Sequence, residues 1–170
     1  LSPNITDNRI NTTSNFGMTV MASNAFIMKN NITTNDSGGS SGSTVGIQLG
    51  SLAQTNYSTI RDNIIITHGR LGAGINCEYC LHNTFINNTI TTYGNGTSVG
   101  SGNAPNGLRI FGGTNNTFYN HRITTLGINA SALRLLGATN NTFFNSILNA
   151  TNSNHLSFGN IVNVNAINNI

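Results

Sequence analysis

The segments NNTFYNHRI (residues 115–123) and NNTFFNSIL (residues 140–148) decide the fold, because they are copies of one unit. Two earlier copies read YSTIRDNII at 57–65 and HNTFINNTI at 82–90. Aligning the copies reveals one apolar column, which an isoleucine before the first copy extends backwards: Ile27, Ile60, Phe85, Phe118 and Phe143.

A second apolar column follows five residues later: Ile32, Ile65, Ile90, Ile123 and Leu148. Successive copies are 33, 25, 33 and 25 residues apart, which indicates a repeat architecture. A third set of positions reads apolar, polar, apolar, in the pairs Ile47/Leu49, Ile75/Cys77, Leu108/Ile110 and Leu133/Leu135, with Met18/Val20 and Leu156/Phe158 as looser members. This alternation is typical of short strands with one buried face, and the helical period of about 3.6 residues is absent.

We therefore predict an all-β fold: a single-stranded right-handed parallel β-helix, or solenoid, of about six coils. One domain should span residues 1–170. The longer repeats contain Gly/Ser-rich insertions near 36–44 and 94–104, which we place at the same corner of the coil. Insertions on one side of a solenoid often form a binding face, and featureless loops are the alternative.

Asparagines recur at fixed positions of the repeat. In a stack of coils like residues lie above one another, about 4.8 Å apart, and their amides can bond to each other and to turn backbone. We interpret two columns as such turn ladders, and a ligand site is the alternative: Asn83/Asn116/Asn141 and Asn87/Asn120/Asn145.

The surface is almost uncharged. Only 6% of the residues carry charge, the net charge is +3, and Lys and Arg form no run. Nucleic acid is excluded as a partner, because phosphate neutralisation needs a dense basic surface. No stretch approaches the roughly 18 apolar residues of a membrane span.

Asn-x-Ser/Thr triplets are frequent. A chain rich in Asn and Thr also forms such triplets by chance, but as a group they favour an exported glycoprotein, extracellular or at the cell surface. The N-glycosylation candidates are Asn4, Asn11, Asn31, Asn35, Asn56, Asn95, Asn115, Asn129, Asn140 and Asn149, and Asn87 carries the same triplet.

Catalytic groups are scarce. The four carboxylates, Asp7, Asp36, Asp62 and Glu78, form no pair of the kind that glycoside hydrolysis or calcium-dependent cleavage requires. The four histidines, His68, His82, His121 and His155, fall in different columns. We therefore predict no enzyme activity, no metal site and no cofactor.

Two residue pairs remain. Cys77 occupies an apolar column and Cys80 the following turn, so we expect a local disulfide or two buried thiols. Arg109 and Arg134 are one repeat apart and should point outwards side by side, on a polar strip of an exposed sheet face. They could hold an anionic sugar or a partner's carboxylate, or form a solvated, mildly repulsive pair.

The units GLRIFGGTNNTFYNHRI (107–123) and ALRLLGATNNTFFNSIL (132–148) resemble the repeat of NosD-like β-helix proteins, also described as the carbohydrate-binding and sugar-hydrolase repeat. The resemblance covers roughly residues 17 to 160. It implies the β-helix fold, and for function a range from polysaccharide cleavage to surface proteins. Members that cleave polysaccharides carry clustered acidic residues, which this chain lacks.

The terminal segments, LSPNITDNRI and IVNVNAINNI, show no cap pattern. Bare solenoid ends expose strand edges and core, so we expect the stack to continue in a longer polypeptide or to dock head to tail on a second copy, as a homopolymer. The sequence thus predicts an extracellular structural or assembly protein, part of a surface filament, surface layer or adhesin. The alternative is a carbohydrate-binding or polysaccharide-cleaving domain, and glycans are the corresponding partner class.

Overall fold

The computed structural model is a right-handed parallel β-helix in which each coil contributes one strand to each of three sheets. All strand pairs are parallel and join equivalent strands of successive coils. The predicted all-β solenoid of about six coils is therefore confirmed. The structure describes residues 2–13, 15–35, 44–51, 53–69, 72–94 and 105–151, and the backbone of 156–159 and 162–167.

The first sheet contains β1 (Asn4–Thr6), β4 (Phe26–Met28), β7 (Thr59–Arg61), β10 (Thr84–Ile86), β13 (Thr117–Tyr119), β16 (Thr139–Phe144) and β19 (Val162–Ile167). The second sheet contains β2 (Arg9–Thr12), β5 (Asn31–Asn35), β8 (Ile64–His68), β11 (Thr89–Thr92), β14 (Arg122–Thr125) and β17 (Ile147–Ala150). The third sheet contains β3 (Phe16–Val20), β6 (Val45–Gly50), β9 (Ala73–Glu78), β12 (Asn106–Phe111), β15 (Ser131–Leu136) and β18 (Leu156–Gly159). We number the coils 1 to 6 in chain order, so that coil 1 holds β1–β3 and coil 6 holds β16–β18.

The core consists of the predicted apolar columns, stacked in register. Ile60 pairs with both Ile27 and Phe85, and Phe118 pairs with both Phe85 and Phe143. The three phenylalanine rings stack with centroid separations of 4.5 and 4.4 Å. Full burial of each such side chain stabilises the fold by roughly 1.5–3 kcal/mol, so the columns supply most of the hydrophobic free energy of folding.

A small-residue column lets the sheets pack closely. A Cβ atom on Gly74 would overlap the Cγ2 methyl of Ile90 in the next coil, and Gly107 stands in the same relation to Ile123. Coil 5 has Ala132 at this position. The residue of coil 6 in the isoleucine column is Leu148, which has no methyl group on Cβ. Ala therefore replaces Gly in the one described coil whose facing residue in the next coil is Leu instead of Ile.

The corner between the first and second sheets uses a left-handed residue in every coil. Asn87, Asn120 and Asn145 have φ values of 52°, 56° and 49°. Asn tolerates this conformation better than other non-glycine residues, which explains its recurrence. These three side chains are exposed. Our interpretation of them as an amide ladder is wrong, because no hydrogen bond joins these three side chains, and along this column Asn87 bonds only to Asp62 Oδ1, at 3.2 Å, within the described structure.

The insertions lie partly outside the described residues. Ten positions separate Asn35 from Val45, against five between the paired residues His68 and Ala73. In coil 4, the insertion near 94–104 falls at the same corner, between β11 and β12. The structure places both insertions between the second and third sheets, while 36–43 and 95–104 themselves are outside the described residues.

Candidate functional site

The carboxylates do not form a catalytic pair among the described residues. Asp7 and Asp62 occupy the same corner column in coils 1 and 3, with Lys29 between them, and Asp36 lies outside the described residues. A hydrogen bond from Arg61 lowers the pKa of Asp62, helped by Asn87 and the positive charges of Arg61 and Lys29. A general acid needs a raised pKa, so this column is suited to ion pairing and not to proton donation.

The outer face of the third sheet carries the predicted polar strip, but three residues of the strip are buried. Gln48, Asn76 and Arg134 are only 4%, 5% and 3% exposed. The expectation of an exposed strip is therefore wrong for these three residues. Arg109 pairs directly with Arg134 in the strand register, as the repeat spacing indicates. Burial, and then the positive charge of Arg109, lower the pKa of Arg134.

Side chains of this strip form a connected network. Asn76 Nδ2 donates to Gln48 Oε1 at 2.7 Å and to Glu78 Oε1 at 3.1 Å. Arg109 Nη1 donates to Asn76 Oδ1 at 3.2 Å and to Glu78 Oε1 at 3.1 Å, which makes an ion pair. The Arg109 guanidinium also lies 5.5 Å from the centre of the Phe111 ring. Glu78 therefore balances the charge of Arg109, and the anion or partner contact at Arg109 and Arg134 stays a prediction.

A groove of about 410 Å³ opens beside this network. Its floor includes Gln48, Asn76, Glu78 and Arg109, and its apolar wall is formed by Phe16, Met21 and Val45. Arg109 Nε is buried and has no hydrogen-bond partner among the described residues. The groove therefore combines fixed polar groups with apolar side chains, which are the usual parts of a small binding site.

The corner before the first sheet carries an amide ladder, which we call the first ladder: Ser58, Asn83, Asn116 and Asn141. Asn83 N and Nδ2 both donate to Asn116 Oδ1, at 2.9 and 3.1 Å. Asn116 repeats both bonds to Asn141 at 3.0 Å. The Asn116 amide also donates to the Cys80 carbonyl at 3.0 Å. The predicted Asn83/Asn116/Asn141 ladder is thus observed, fully buried and with its polar groups paired.

A second ladder lies between the first and second sheets, and sequence reasoning missed it. Its members stand three residues after the first apolar column: Asn8, Asn30, Asn63 and Asn88, continued by His121 and Ser146. Asn30 donates to Asn63 Oδ1 through N and Nδ2, both at 3.0 Å. Asn63 does the same to Asn88, at 3.1 and 2.9 Å. The signal was present in the sequence, since Asn fills this position in four consecutive coils.

His121 occupies a ladder position in place of Asn. The side chain is 2% exposed, and neither ring nitrogen has a hydrogen-bond partner among the described residues. Burial lowers the pKa of His121 to about 4, although contacts with the Asn88 and Phe85 backbones act in the opposite direction. His68 and His82 are exposed and stack on Tyr93 and Tyr57. His155 lies outside the described residues.

Three further observations concern the cysteines, metal ligands and membrane spans. Cys77 and Cys80 are joined by a disulfide and are both fully buried. Over the described part of the chain, no group of three or more His, Cys, Asp or Glu side chains could hold a metal ion. No helix within the same ranges is long and apolar enough to span a membrane.

The structure sorts the glycosylation candidates by accessibility. Asn35, Asn56 and Asn129 are half-buried, and Asn95 lies outside the described residues. The other triplet asparagines are exposed: Asn4, Asn11, Asn31, Asn87, Asn115, Asn140 and Asn149. No triplet begins inside a strand of the third sheet, so the groove face carries no such attachment point.

Comparison with known proteins finds no family model, no curated protein and no solved structure that matches this chain.

Proposed function

We propose that this chain is an extracellular structural or assembly protein, forming part of a surface filament, a surface layer or an adhesin. The observation that carries the proposal is the in-register stacking of like residues over all described coils, with almost no charge on the terminal strands. Arg9 is the one charged residue in β1, β2, β3, β17, β18 and β19. Natural edge strands are usually blocked by charges, so these edges favour continued pairing.

The first coil supports the proposal. Ile5 and Ile10 are only partly buried, whereas their partners Ile27 and Ile32 in the next coil are fully buried. Another coil stacked on β1 and β2 would bury both isoleucines. It would also provide donors for Asn8 Oδ1, which accepts no hydrogen bond among the described residues, although Asn30 Oδ1 accepts two. The proposed partner is a second copy bound head to tail, or a further coil of the same repeat.

The proposed extracellular location rests on three features. Seven triplet asparagines are exposed, the surface has few charges, and the two cysteines form a disulfide. Disulfides persist mainly in oxidising compartments. Mass spectrometry of material from the native source tests glycosylation directly, with attached glycans expected at exposed positions such as Asn115 and Asn140.

The assembly proposal is tested with two lysine variants of one strand. Ile10→Lys places a charge in the apolar column of β2, and Asn11→Lys places it on the outer face of the same strand. We expect the unsubstituted protein to form rods in electron micrographs, Ile10→Lys to abolish them, and Asn11→Lys to retain them. Circular dichroism checks that both variants remain folded. A protein that sediments as a monomer at all concentrations would contradict head-to-tail assembly.

Carbohydrate binding is a second candidate, favoured by the groove on the third sheet and by the resemblance to the carbohydrate-binding repeat. The balanced Arg109–Glu78 pair and the amides of Gln48 and Asn76 suit a neutral hydroxyl-rich ligand better than an anion. Calorimetric titration with neutral oligosaccharides should then show binding that Asn76→Ala removes and Asn31→Ala, on the second sheet, preserves. Cleavage of a polysaccharide by the purified chain would favour this candidate over the structural one.

A further inference from the structure

The second ladder changes its chemistry at one coil. In coils 1 to 3, the backbone N–H of each ladder residue donates to the side-chain oxygen of the next: Asn8 to Asn30, Asn30 to Asn63, and Asn63 to Asn88. The Asn88 N–H has no such partner among the described residues, because the next position holds His121. Beyond it, the His121 N–H donates to Ser146 Oγ at 3.2 Å, so the ladder resumes.

An amide fits this position because it accepts and donates at once. Asn88 Nδ2 donates to the Ile60 carbonyl at 2.9 Å, as Asn63 Nδ2 does to the Ile27 carbonyl. A neutral imidazole has one donor and one acceptor, and those of His121 meet no partner in hydrogen-bond geometry within the described structure. Between coils 4 and 5, the second ladder therefore has no side-chain hydrogen bond of this kind among the described residues, although the first ladder crosses the same interface from Asn83 to Asn116.

The backbones of Asn88 and Phe85 are the groups that favour a positive charge on His121, and burial outweighs them. The Phe118 ring lies 6.1 Å away, and the adjacent apolar column is the stack of Phe85, Phe118 and Phe143. The elements around the ring contribute only backbone groups and Ser146 to its polar environment. The neighbouring Arg122 is exposed, and no described acidic or basic side chain shifts the His121 pKa.

We propose that the second-ladder corner between coils 4 and 5 is an acid-sensitive opening point of the solenoid, at which protonation of His121 loosens coil 5 from coil 4. A protonated imidazole has two donors and a charge, and the closed interface offers it only the Asn88 and Phe85 backbones in an otherwise apolar surrounding. Opening admits water to the ring, and water accepts both hydrogen bonds and hydrates the charge. Asparagine ladders elsewhere in the stack have no group that titrates in this range, so the opening is confined to this place.

The consequence for assembly rests on the proposed structural function. A filament or layer that contains this coil would carry one defined point of acid weakening in each subunit. The opening itself is a property of the single chain and can be measured without any assembly.

Hydrogen exchange tests the proposal on the single folded chain. The amides of Asn87 and Arg122 bond across the interface, to Tyr119 and Asn88, while Lys29 and Ile64 make the equivalent bonds between coils 2 and 3. After correction for intrinsic exchange rates, opening at Asn87 and Arg122 should increase on the order of 100-fold between pH 6.5 and pH 4. Opening at Lys29 and Ile64 should stay nearly constant.

Two substitutions to asparagine provide a matched pair. His121→Asn restores the residue of coils 1 to 4 and should remove the acid-dependent increase. His82→Asn is the control: His82 is exposed, has a φ of 55°, and occupies a column in which Asn115 and Asn140 already stand. It should leave the increase intact. An equal acid response in His121→Asn and the unsubstituted protein, or a response spread evenly over all coils, would overturn the proposal, whether or not the chain assembles.

Discussion

The two ladders both pair buried polar groups at a corner of the first sheet, but only the second is interrupted. Both run along corners of the first sheet, and in both a buried side chain must accept the N–H of one coil and donate to a carbonyl. The first ladder does so with Asn83, Asn116 and Asn141 without interruption. The second does so through Asn88 and then meets His121, whose ring nitrogens are unpaired within the described structure. The comparison shows that a corner side chain can be buried without ladder hydrogen bonds. In this chain that side chain is the titratable His121, which makes its corner sensitive to acid.

The largest expected effect is at the intact ladder. Asn116→Ala removes two bonds accepted from Asn83 and two donated to Cys80 and Asn141. Leaving such buried groups unpaired should lower the free energy of unfolding by about 4 kcal/mol. Urea denaturation measures this, with Asn115→Gly as the control, since it changes the exposed neighbour and keeps its left-handed backbone available. Equal losses in both variants would show that the ladder adds little.

Acid should lower the stability of the chain through the interrupted second ladder. The His121 pKa is about 4 in the folded chain and near 6.5 when unfolded, so between these values the unfolded state alone binds the proton. Stability is therefore fully present above pH 6.5 and falls by about 3 kcal/mol as the pH drops to 4. Urea midpoints from pH 7 to pH 4 measure the slope, and His121→Asn should remove this part of it. An unchanged slope would mean that other groups dominate.

A smaller effect is expected from repairing the ladder at neutral pH. His121→Asn provides an acceptor for the Asn88 N–H. Its Nδ2 should also donate to the Phe85 carbonyl, as Asn63 and Asn88 do to the Ile27 and Ile60 carbonyls, in place of the imidazole contact with the Phe85 backbone. We expect a gain of about 1–2 kcal/mol at pH 7. Thermal unfolding should show a higher midpoint for this variant, and a lower one would indicate that the imidazole is needed to fill space against Phe118.

The smallest effect is expected at the exposed corner residue next to the interruption. Asn120 has a φ of 56° and is exposed. Asn120→Ala should therefore lose only about 1 kcal/mol, through backbone strain, whereas Asn120→Gly should be nearly neutral. Calorimetry of the pair distinguishes this reason from a side-chain role, because a side-chain role would make the two substitutions equally harmful.

Much of the fold follows from the sequence, because a stack repeats its environment. Each coil places the same position above the same position, so the spacing of Ile60, Phe85, Phe118 and Phe143 already contains the strand register. The first ladder follows for the same reason. The second ladder could also have been predicted, since Asn8, Asn30, Asn63 and Asn88 keep a constant distance from the apolar column. The neighbouring column of Asn87, Asn120 and Asn145 was more conspicuous.

The burial and the charge balance of the arginine site could not be predicted from repeat spacing. Repeat spacing places Arg109 beside Arg134, and the structure agrees. Spacing does not reveal that Glu78, two residues after Asn76, reaches Arg109, or that Gln48, Asn76 and Arg134 are buried. These depend on how neighbouring coils and corners pack against the strip.

The sequence by itself determined the parallel solenoid, its columns and its low charge, because periodic apolar positions can be buried only by stacking. Tertiary structure decided which of two neighbouring polar residues at the left-handed corner lies inside. Asn88 and His121 occupy equivalent positions, one residue after exposed asparagines at 87 and 120. The sharp left-handed corner turns the first residue of each pair outwards and the second inwards. That turn makes one histidine of this chain a buried base and leaves His82, in a different corner, at the surface.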